Sequence, residues 1–411
     1  MTLKPWYATP YNHNLTKKVI VIGAGISGAA TAYSLAKRGY SVTLYEKNSS
    51  IASGASGNYQ AILYSNFSLD NAPLMELSLG SHNYTTNLVK TLLLSDIEYQ
   101  QCGIIQLAHN TRSLKMQQRL LSYSPLSNFY HLVNNSQMQE LSGIRINSTD
   151  GIYYPQGIWL SPTKFIHKLL THTNIKVILN AAVTNLEFNH KEWQIATQCG
   201  IIDNAANLVL CNSHLLNQFP QTANLKLHTT RGQTSKIKNS IKLKSIICTN
   251  GYITPNLNNY YTLGATFKNS TNLDIIMDEH QENFNNLIPY IPQLATQINY
   301  STIEGKVNLR GHSVDYLPLV GPVADYTQFN QCYKSLALDA NYKIATACPY
   351  LPGLYVNALF GSKGMLTAPL CSEMIAAYID NAPFPGSEKL RQALHPNRLW
   401  IKQIIRSGEH N

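Results

Sequence analysis

The sequence predicts an α/β fold, mixed α+β overall, with one layer of parallel strands assembled from separated stretches of chain and a second, β-rich region. Three observations predict it. Val19-Ile20-Val21-Ile22 is a short, fully apolar, β-branched run that suits a buried parallel strand. It leads into Gly23-Ala24-Gly25-Ile26-Ser27-Gly28 and a helical stretch from Ala29 to Arg38. Near the other end, residues 354–359 read as a strand, followed by Gly361-Ser362-Lys363-Gly364 and a helix over 367–379. A second strand–glycine–helix unit therefore returns to the same layer, and the domains are discontinuous.

Composition sets the outer limits. At about 100–200 residues per domain, 411 residues mean two to four domains or one large assembly. Hydrophobic residues are 44% and charged residues 13%, which excludes wholesale disorder. The formal charge is +10. A positive surplus favours a polyanionic partner and equally serves solubility. The basic residues form no dense run; the nearest approach is Lys236, Lys238, Lys242 and Lys244. Seven scattered cysteines without a C-x-x-C pair argue against a disulfide framework or a structural zinc site. Cys211 and His214 resemble half a metal site, but no second pair completes it. We expect no metal, reduced thiols and a cytoplasmic protein. Lys17-Lys18 and the apolar stretch to Ala36 imitate an export signal, but Gly and Ser interrupt it and no cleavage site follows. No membrane span is expected.

The first strand, turn and helix carry chemistry. Gly23 permits the tight turn, Gly25 lets the backbone approach a pyrophosphate, and Gly28 allows close helix packing. The helix N-terminus offers free N–H groups and partial positive charge. The next strand, Ser41–Glu46, ends in an acid 18 residues after Gly28. That acid is placed to accept from the ribose hydroxyls of a dinucleotide, and it would repel a 2′-phosphate, which disfavours NADP. A lone G-x-G-x-x-G can be an ordinary turn; here strand, turn, helix, strand and acid stand in order, as in a Rossmann-like domain. Ser53-Gly54-Ala55-Ser56-Gly57-Asn58 is a small, flexible loop that can bring N–H groups to a flavin or its phosphates, or be only a loop. Alone it does not separate FAD from NAD.

Elsewhere, residues 72–142 read as helical, through Leu77, Leu88 and Leu92 and again through Leu114 and Leu121. Pro162 is placed to start a helix. Strands are expected over 175–182, 193–197, 208–211, 246–248, 252–254 and 261–266, and a helix over 278–296.

Several segments together carry a resemblance. The glycine motif with Glu46, then Arg231-Gly232-Gln233, Tyr252-Ile253-Thr254-Pro255, Gly264-Ala265-Thr266 and Leu309-Arg310 leading to Leu317–Gly321, resembles the D-amino-acid oxidase and glycine oxidase class of flavoproteins. More narrowly, Asp70-Asn71, residues 358–364, 368–371 and His395-Pro396-Asn397-Arg398-Leu399-Trp400 resemble the FAD-dependent oxidoreductase part of the bifunctional tRNA-modifying MnmC proteins. Lys4-Pro5-Trp6 is similar to the segment joining their two halves.

That resemblance implies FAD as cofactor and tRNA as partner. The implied reaction acts on the wobble uridine and removes the carboxymethyl part of a 5-carboxymethylaminomethyl group, leaving 5-aminomethyl. Hydride would leave to the flavin, water would hydrolyse the imine to release glyoxylate, and oxygen would reoxidise the flavin. The methyltransferase half has no counterpart, because only about 17 residues precede the first strand; a separate methyltransferase would act on the product. The implied division is a 1–17 tail, an FAD-binding domain from 18–75, 150–220 and 310–405, and a helical and β-rich substrate domain from 76–149 and 221–309.

Arg310 matches the substrate-carboxylate arginine and can grip a carboxylate bidentately, although an unselected Arg is usually a structural ion pair. Tyr252 is the phenol implied beside it. The FAD set is Gly23, Ala24, Gly25, Ile26, Gly28, Glu46, Lys47, Ser56, Gly57, Asn58, Gln60 and Val183, with Gly361, Ser362, Lys363, Gly364 and Met365 near the isoalloxazine. Val183 is either an adenine contact or a core valine. Lys363 can stabilise reduced flavin, touch tRNA or sit in a solvated turn. Lys236, Lys238, Arg398 and Lys402 are tRNA candidates by charge. Val314 departs from the Arg that the MnmC proteins carry there. A small-molecule amine oxidase and a non-catalytic, flavin-containing tRNA-binding protein are the competing readings.

Overall fold

The computed structural model describes residues 6–408, apart from 15, 66, 124–125, 239 and 296–301. Lys4 and Pro5 lie outside the described residues. Among those described, the strands fall into four sheets. The first, six-stranded sheet has the order β19-β20-β13-β1-β2-β9, with β1 at Lys18–Ile22, β2 at Ser41–Tyr45, β9 at Ile175–Ile178, β13 at Asn207–Leu210, β19 at Leu319–Ala324 and β20 at Tyr350–Ala358. Its pairs are parallel except β19 with β20.

Residues of β1 alternate between two cores, as a buried strand requires. Val19 and Val21 pack with Leu35, Met374 and Ile375 on one face. Ile20 and Ile22 pack with Trp193, Phe329 and Trp400 on the other. Helix α1 (Ile26–Ala36) lies against α5 (Pro162–Leu170) and α8 (Gly364–Ile379). Pro162 does sit in the first turn of α5.

The eight-stranded sheet has the order β18-β14-β17-β16-β15-β5-β7-β6. It joins β5 (Ile104–Gln106), β6 (His131–Asn134), β7 (Asp150–Tyr154), β14 (Leu227–Lys238), β15 (Ile246–Cys248), β16 (Tyr252–Ile253), β17 (Tyr260–Gly264) and β18 (Glu304–Ser313). A small sheet, β3 (Ala61–Leu63), β8 (Ile158–Leu160) and β4 (Tyr99–Gln101), links the two larger ones, and β10 (Val183–Phe188), β11 (Trp193–Thr197) and β12 (Ile202–Ala205) form a meander. The remaining helices are α2 (Ala72–Leu92), α3 (Thr111–Leu121), α4 (Asn135–Ser142), α6 (Met277–Asn285), α7 (Tyr326–Tyr333), α9 (Glu388–Leu394) and α10 (Arg398–Gly408).

Two expectations need correction. The stretch 72–142 is not helical throughout: β4, β5 and β6 interrupt it. They have only three or four residues, and β5 is held between β15 and β7 by partners remote in sequence. The helix expected over 278–296 ends at Asn285. Pro289 and Pro292 lack the N–H groups that would continue it. Residue 296 lies outside the described residues. No described helix is long and apolar enough to cross a membrane. The cysteines are free thiols, and the described residues contain no cluster of metal-ligating side chains.

Candidate active site

The carboxyl ends of β1, β2, β13 and β20 open into one cavity of about 640 Å³, which reaches across to β14's neighbour β18 and to β16. Crevices beyond the carboxyl ends of parallel strands are where ligands bind in α/β sheets. Gly23, Gly25, Ile26, Glu46, Lys47, Ser56, Asn58 and Val183 line it, as do Gly361, Ser362, Lys363, Gly364, Met365, Arg310 and Tyr252. Sequence candidates from both ends of the chain thus share one space.

Ala24, Gly28, Gly57 and Gln60 do not line the cavity; they support its walls. Glu46 Oε2 accepts from the Ala24 amide at 2.8 Å, while its other oxygen accepts from the backbone and side chain of Asn48. The acid therefore fixes the glycine turn from the tip of β2. A Cβ on Gly28 would stand 1.8 Å from the Gly23 carbonyl oxygen, so no other residue allows this packing. Gly57 is pressed in the same way against the Ala52 carbonyl. Gln60 is buried; its oxygen accepts from Thr254 and Thr262 hydroxyls and its nitrogen donates to the Pro255 carbonyl. It bolts the 53–60 loop to the eight-stranded sheet. Ser56 Oγ accepts from the Ile26 amide at 3.0 Å, at the start of α1.

At the other end, Arg310 is more than nine-tenths buried on β18. Its Nη1 reaches the Thr266 carbonyl at 3.5 Å, and its guanidinium carbon lies 4.7 Å from the centre of the Phe267 ring. No carboxylate among the described residues pairs with it. Burial lowers its pKa, and nearby Tyr252 partly offsets that. Burial pushes the Tyr252 phenol up to about 12, although the charge of Arg310 pulls the other way. Burial also lowers the pKa of Lys363, at the start of α8. The cavity thus holds two desolvated cations, which favours an anionic guest.

Arg231 behaves differently. It is fully buried and pairs with Glu279, and it donates to the carbonyls of Asn272 and Asp274. It is a structural ion pair.

Arg398 must be removed from the tRNA candidates. Its side chain is 4% exposed, pairs with Asp315 at 2.8 Å, and donates to the carbonyls of Pro318, Leu394 and Leu317. Positive charge alone could not reveal that these oxygens surround it. The whole His395–Trp400 segment is buried packing: His395 meets the Tyr350 hydroxyl, Asn397 donates to the Trp6 carbonyl, and Trp400 donates to the Asn224 carbonyl. It therefore lends no direct support to nucleic-acid contact. Lys402 is half exposed and pairs with Asp315. Lys236 pairs with Glu304 and lies over the ring of Tyr260, which Lys238 also approaches. Val314 is on the surface.

Sequence reading missed Asn212, His214 and Phe267, all of which line the cavity. Asn212 Oδ1 and His214 Nδ1 are buried without a partner, and burial together with the charge of Lys47 lowers the His214 pKa. The signal was present: both follow the carboxyl end of a buried strand. Glycine turn, helix N-terminus, small loop, orphaned polar atoms and buried cations together fit FAD, whose pyrophosphate and ring edges need such donors.

The comparisons agree with this geometry. The chain is 36% identical over 414 residues to the tRNA 5-methylaminomethyl-2-thiouridine biosynthesis bifunctional protein MnmC of Pseudomonas savastanoi pv. phaseolicola, covering 98% of this chain and 62% of that protein. The protein of the same name from Chromobacterium violaceum is 36% identical over 411 residues, with the same coverage. The chain thus spans about 62% of the length of these curated relatives. Its fold is that of glycine oxidase from Geobacillus kaustophilus, with a TM-score of 0.77 at 18% identity over 92% of this chain and 98% of that one. L-proline dehydrogenase from P. horikoshii gives 0.75 at 17% identity, over 94% and 98%. Residues 18–378, the span that builds the glycine turn, the crevice and the Arg310 corner, match the FAD dependent oxidoreductase family, DAO. The chain belongs to that family, as an FAD-dependent oxidoreductase.

Proposed function

We propose that the protein demodifies the wobble uridine of tRNA, removing the carboxymethyl part of a 5-carboxymethylaminomethyl group and leaving 5-aminomethyl. The observation that carries the reading is Arg310: a buried guanidinium facing the cavity with no acid paired to it among the described residues. Burying an unpaired charge is costly, so a carboxylate is the guest that makes the arrangement favourable. The relatives at 36% identity are named for tRNA 5-methylaminomethyl-2-thiouridine biosynthesis, which supports placing that carboxylate on a modified uridine. The methyl group in that name requires a methyl transfer, a different class of reaction, which we assign to a separate methyltransferase activity.

Gly23, Gly25, Ile26, Ser56, Asn58 and the 361–365 turn would hold FAD, with Glu46 fixing the turn beneath it. When bound, FAD supplies the two-electron oxidation of the C–H bond beside the substrate amine. Arg310 holds the substrate carboxylate bidentately, and Tyr252, protonated at any physiological pH, donates a further hydrogen bond to it. Fixing the carboxylate orients the adjacent methylene, which is the main contribution a protein can make to such a reaction. Water then hydrolyses the oxidised carbon–nitrogen bond, giving glyoxylate and the aminomethyl base. Lys363, partly buried at the start of α8, would stabilise negative charge at the edge of a bound flavin.

The test is anaerobic mixing of the yellow holoenzyme with tRNA carrying the carboxymethylaminomethyl group. Flavin bleaching with 5-aminomethyluridine in the digest is expected. Bleaching only by glycine or sarcosine would place the protein among small-molecule amine oxidases. No bleaching by any of them would leave a binding role.

A further inference from the structure

Phe267 is an exposed aromatic ring at a position the fold holds rigid. It lines the cavity yet is 57% exposed, beside Leu273, which also lines the cavity and is 61% exposed. The chain around it does not move freely. The Thr266 amide donates to the Gln233 carbonyl at 3.2 Å, and Lys268 exchanges two backbone hydrogen bonds with Arg231, each 2.9 Å. Arg231 is itself clamped by Glu279 and by the Asn272 carbonyl, on the far side of the loop that carries Leu273. Apart from its contact with Arg310, the ring is not used by the core, and with Leu273 it leaves apolar surface at the cavity mouth, where a guest can cover it.

We propose that Phe267 stacks on the nucleobase of the target nucleotide, and so selects amines carried on a base over free amino acids. The inference rests on the functional reading above and deepens it. The spacing is what carries it. The Phe267 ring centre lies 4.7 Å from the Arg310 guanidinium carbon. In a 5-carboxymethylaminomethyl pyrimidine, a methylene, an amine and a second methylene separate the carboxylate from the ring, roughly 5 Å at ordinary bond lengths. A bidentate carboxylate carbon lies roughly 4 Å from the guanidinium carbon, so the base begins up to roughly 9 Å from it and must pass the largely exposed ring of Phe267. Extruded bases are commonly bound by stacking on aromatic side chains. A free amino acid places nothing there.

The experiment measures KM and kcat of holoenzyme on the modified tRNA and on the free modified nucleoside, for the wild type, Phe267→Leu and Phe267→Trp. Bound-flavin spectra verify that each variant is folded. Loss of one base–aromatic stack should raise KM about tenfold or more in Phe267→Leu. Its kcat should stay within about threefold, because uniform binding is what is lost. Phe267→Trp should restore KM on both substrates. Unchanged KM in Phe267→Leu overturns the proposal. So does a collapse of kcat in both variants, which would mean that the ring acts only by packing Arg310. A wild-type enzyme that neither substrate reduces would instead overturn the functional reading, and this proposal with it.

Discussion

The carboxylate of Glu46 accepts a 2.8 Å hydrogen bond from the amide of Ala24, so the tip of β2 holds the glycine turn that follows β1. With Asn48 on its other oxygen, the side chain braces the turn from both sides. A hydrogen bond to a charged group contributes about 1.5–3 kcal/mol. Glu46→Ala should therefore weaken FAD retention roughly 10- to 100-fold, read as flavin released on dilution. Glu46→Gln, which keeps one acceptor, should lose less.

Arg310 should show activity and stability pulling in opposite directions. Loss of one partner from a buried charged contact costs about 2–5 kcal/mol, so Arg310→Met should lower kcat/KM by roughly 30-fold to several thousandfold. Without substrate, the same change removes a desolvated, unpaired cation. The thermal midpoint should rise, by about 1 kcal/mol or more in stability. A fall in both quantities would show that Arg310 is structural.

The Arg398–Asp315 pair should behave as a clamp on the turn after β18. Breaking a buried pair by removing one partner costs about 3–5 kcal/mol. Arg398→Ala should lower the thermal midpoint and leave the salt dependence of tRNA binding unchanged, since no phosphate contact is lost. Hydrogen bonds and charge from Arg398, opposed by burial, hold the Asp315 carboxyl below the usual carboxylate range. That stability is present above the unfolded carboxyl pKa and disappears as pH falls through the folded one. Asp315→Asn should flatten the acid limb of the stability curve below about pH 4.

His395 sets a second acid limb, at higher pH. Burial first, then the charges of Arg398 and Arg391, lower its pKa from 6.5 to about 3. The unfolded state therefore binds the proton more readily throughout that window. Stability is complete above pH 6.5 and declines as pH falls toward 3. In His395→Gln the slope of the denaturation midpoint between pH 6.5 and 5, where carboxylates contribute little, should be shallower than in the wild type.

The parts of the site that could be read from sequence are those made by neighbours in the chain. The β1 turn, α1 and Glu46 follow one another within 30 residues, and each residue type there has a local reason. The eight-stranded sheet was harder, because β5 and β6 are too short to show a period and their partners lie up to about 140 residues away. Gln60 was recognised in the right loop but faces the threonines of β17 and its neighbour rather than the cavity. Arg398 and Arg310 look alike in sequence; only packing gives one an aspartate and leaves the other without an acid among the described residues. Phe267 could not be found by pattern, since its meaning lies in a distance to Arg310.

The position of β20 in the first sheet also has a temporal consequence. That strand pairs with β13 and is flanked by β19, and the 361–365 turn that closes the crevice follows it directly. At ribosomal speeds of 5–20 residues per second, roughly 15–65 s separate the making of β1 from that of residue 350. Until then β13 is an open sheet edge beside an unfinished crevice. Flavin capture is thus deferred until β20 and the turn after it are made, and flavin supply should govern how much of the chain matures.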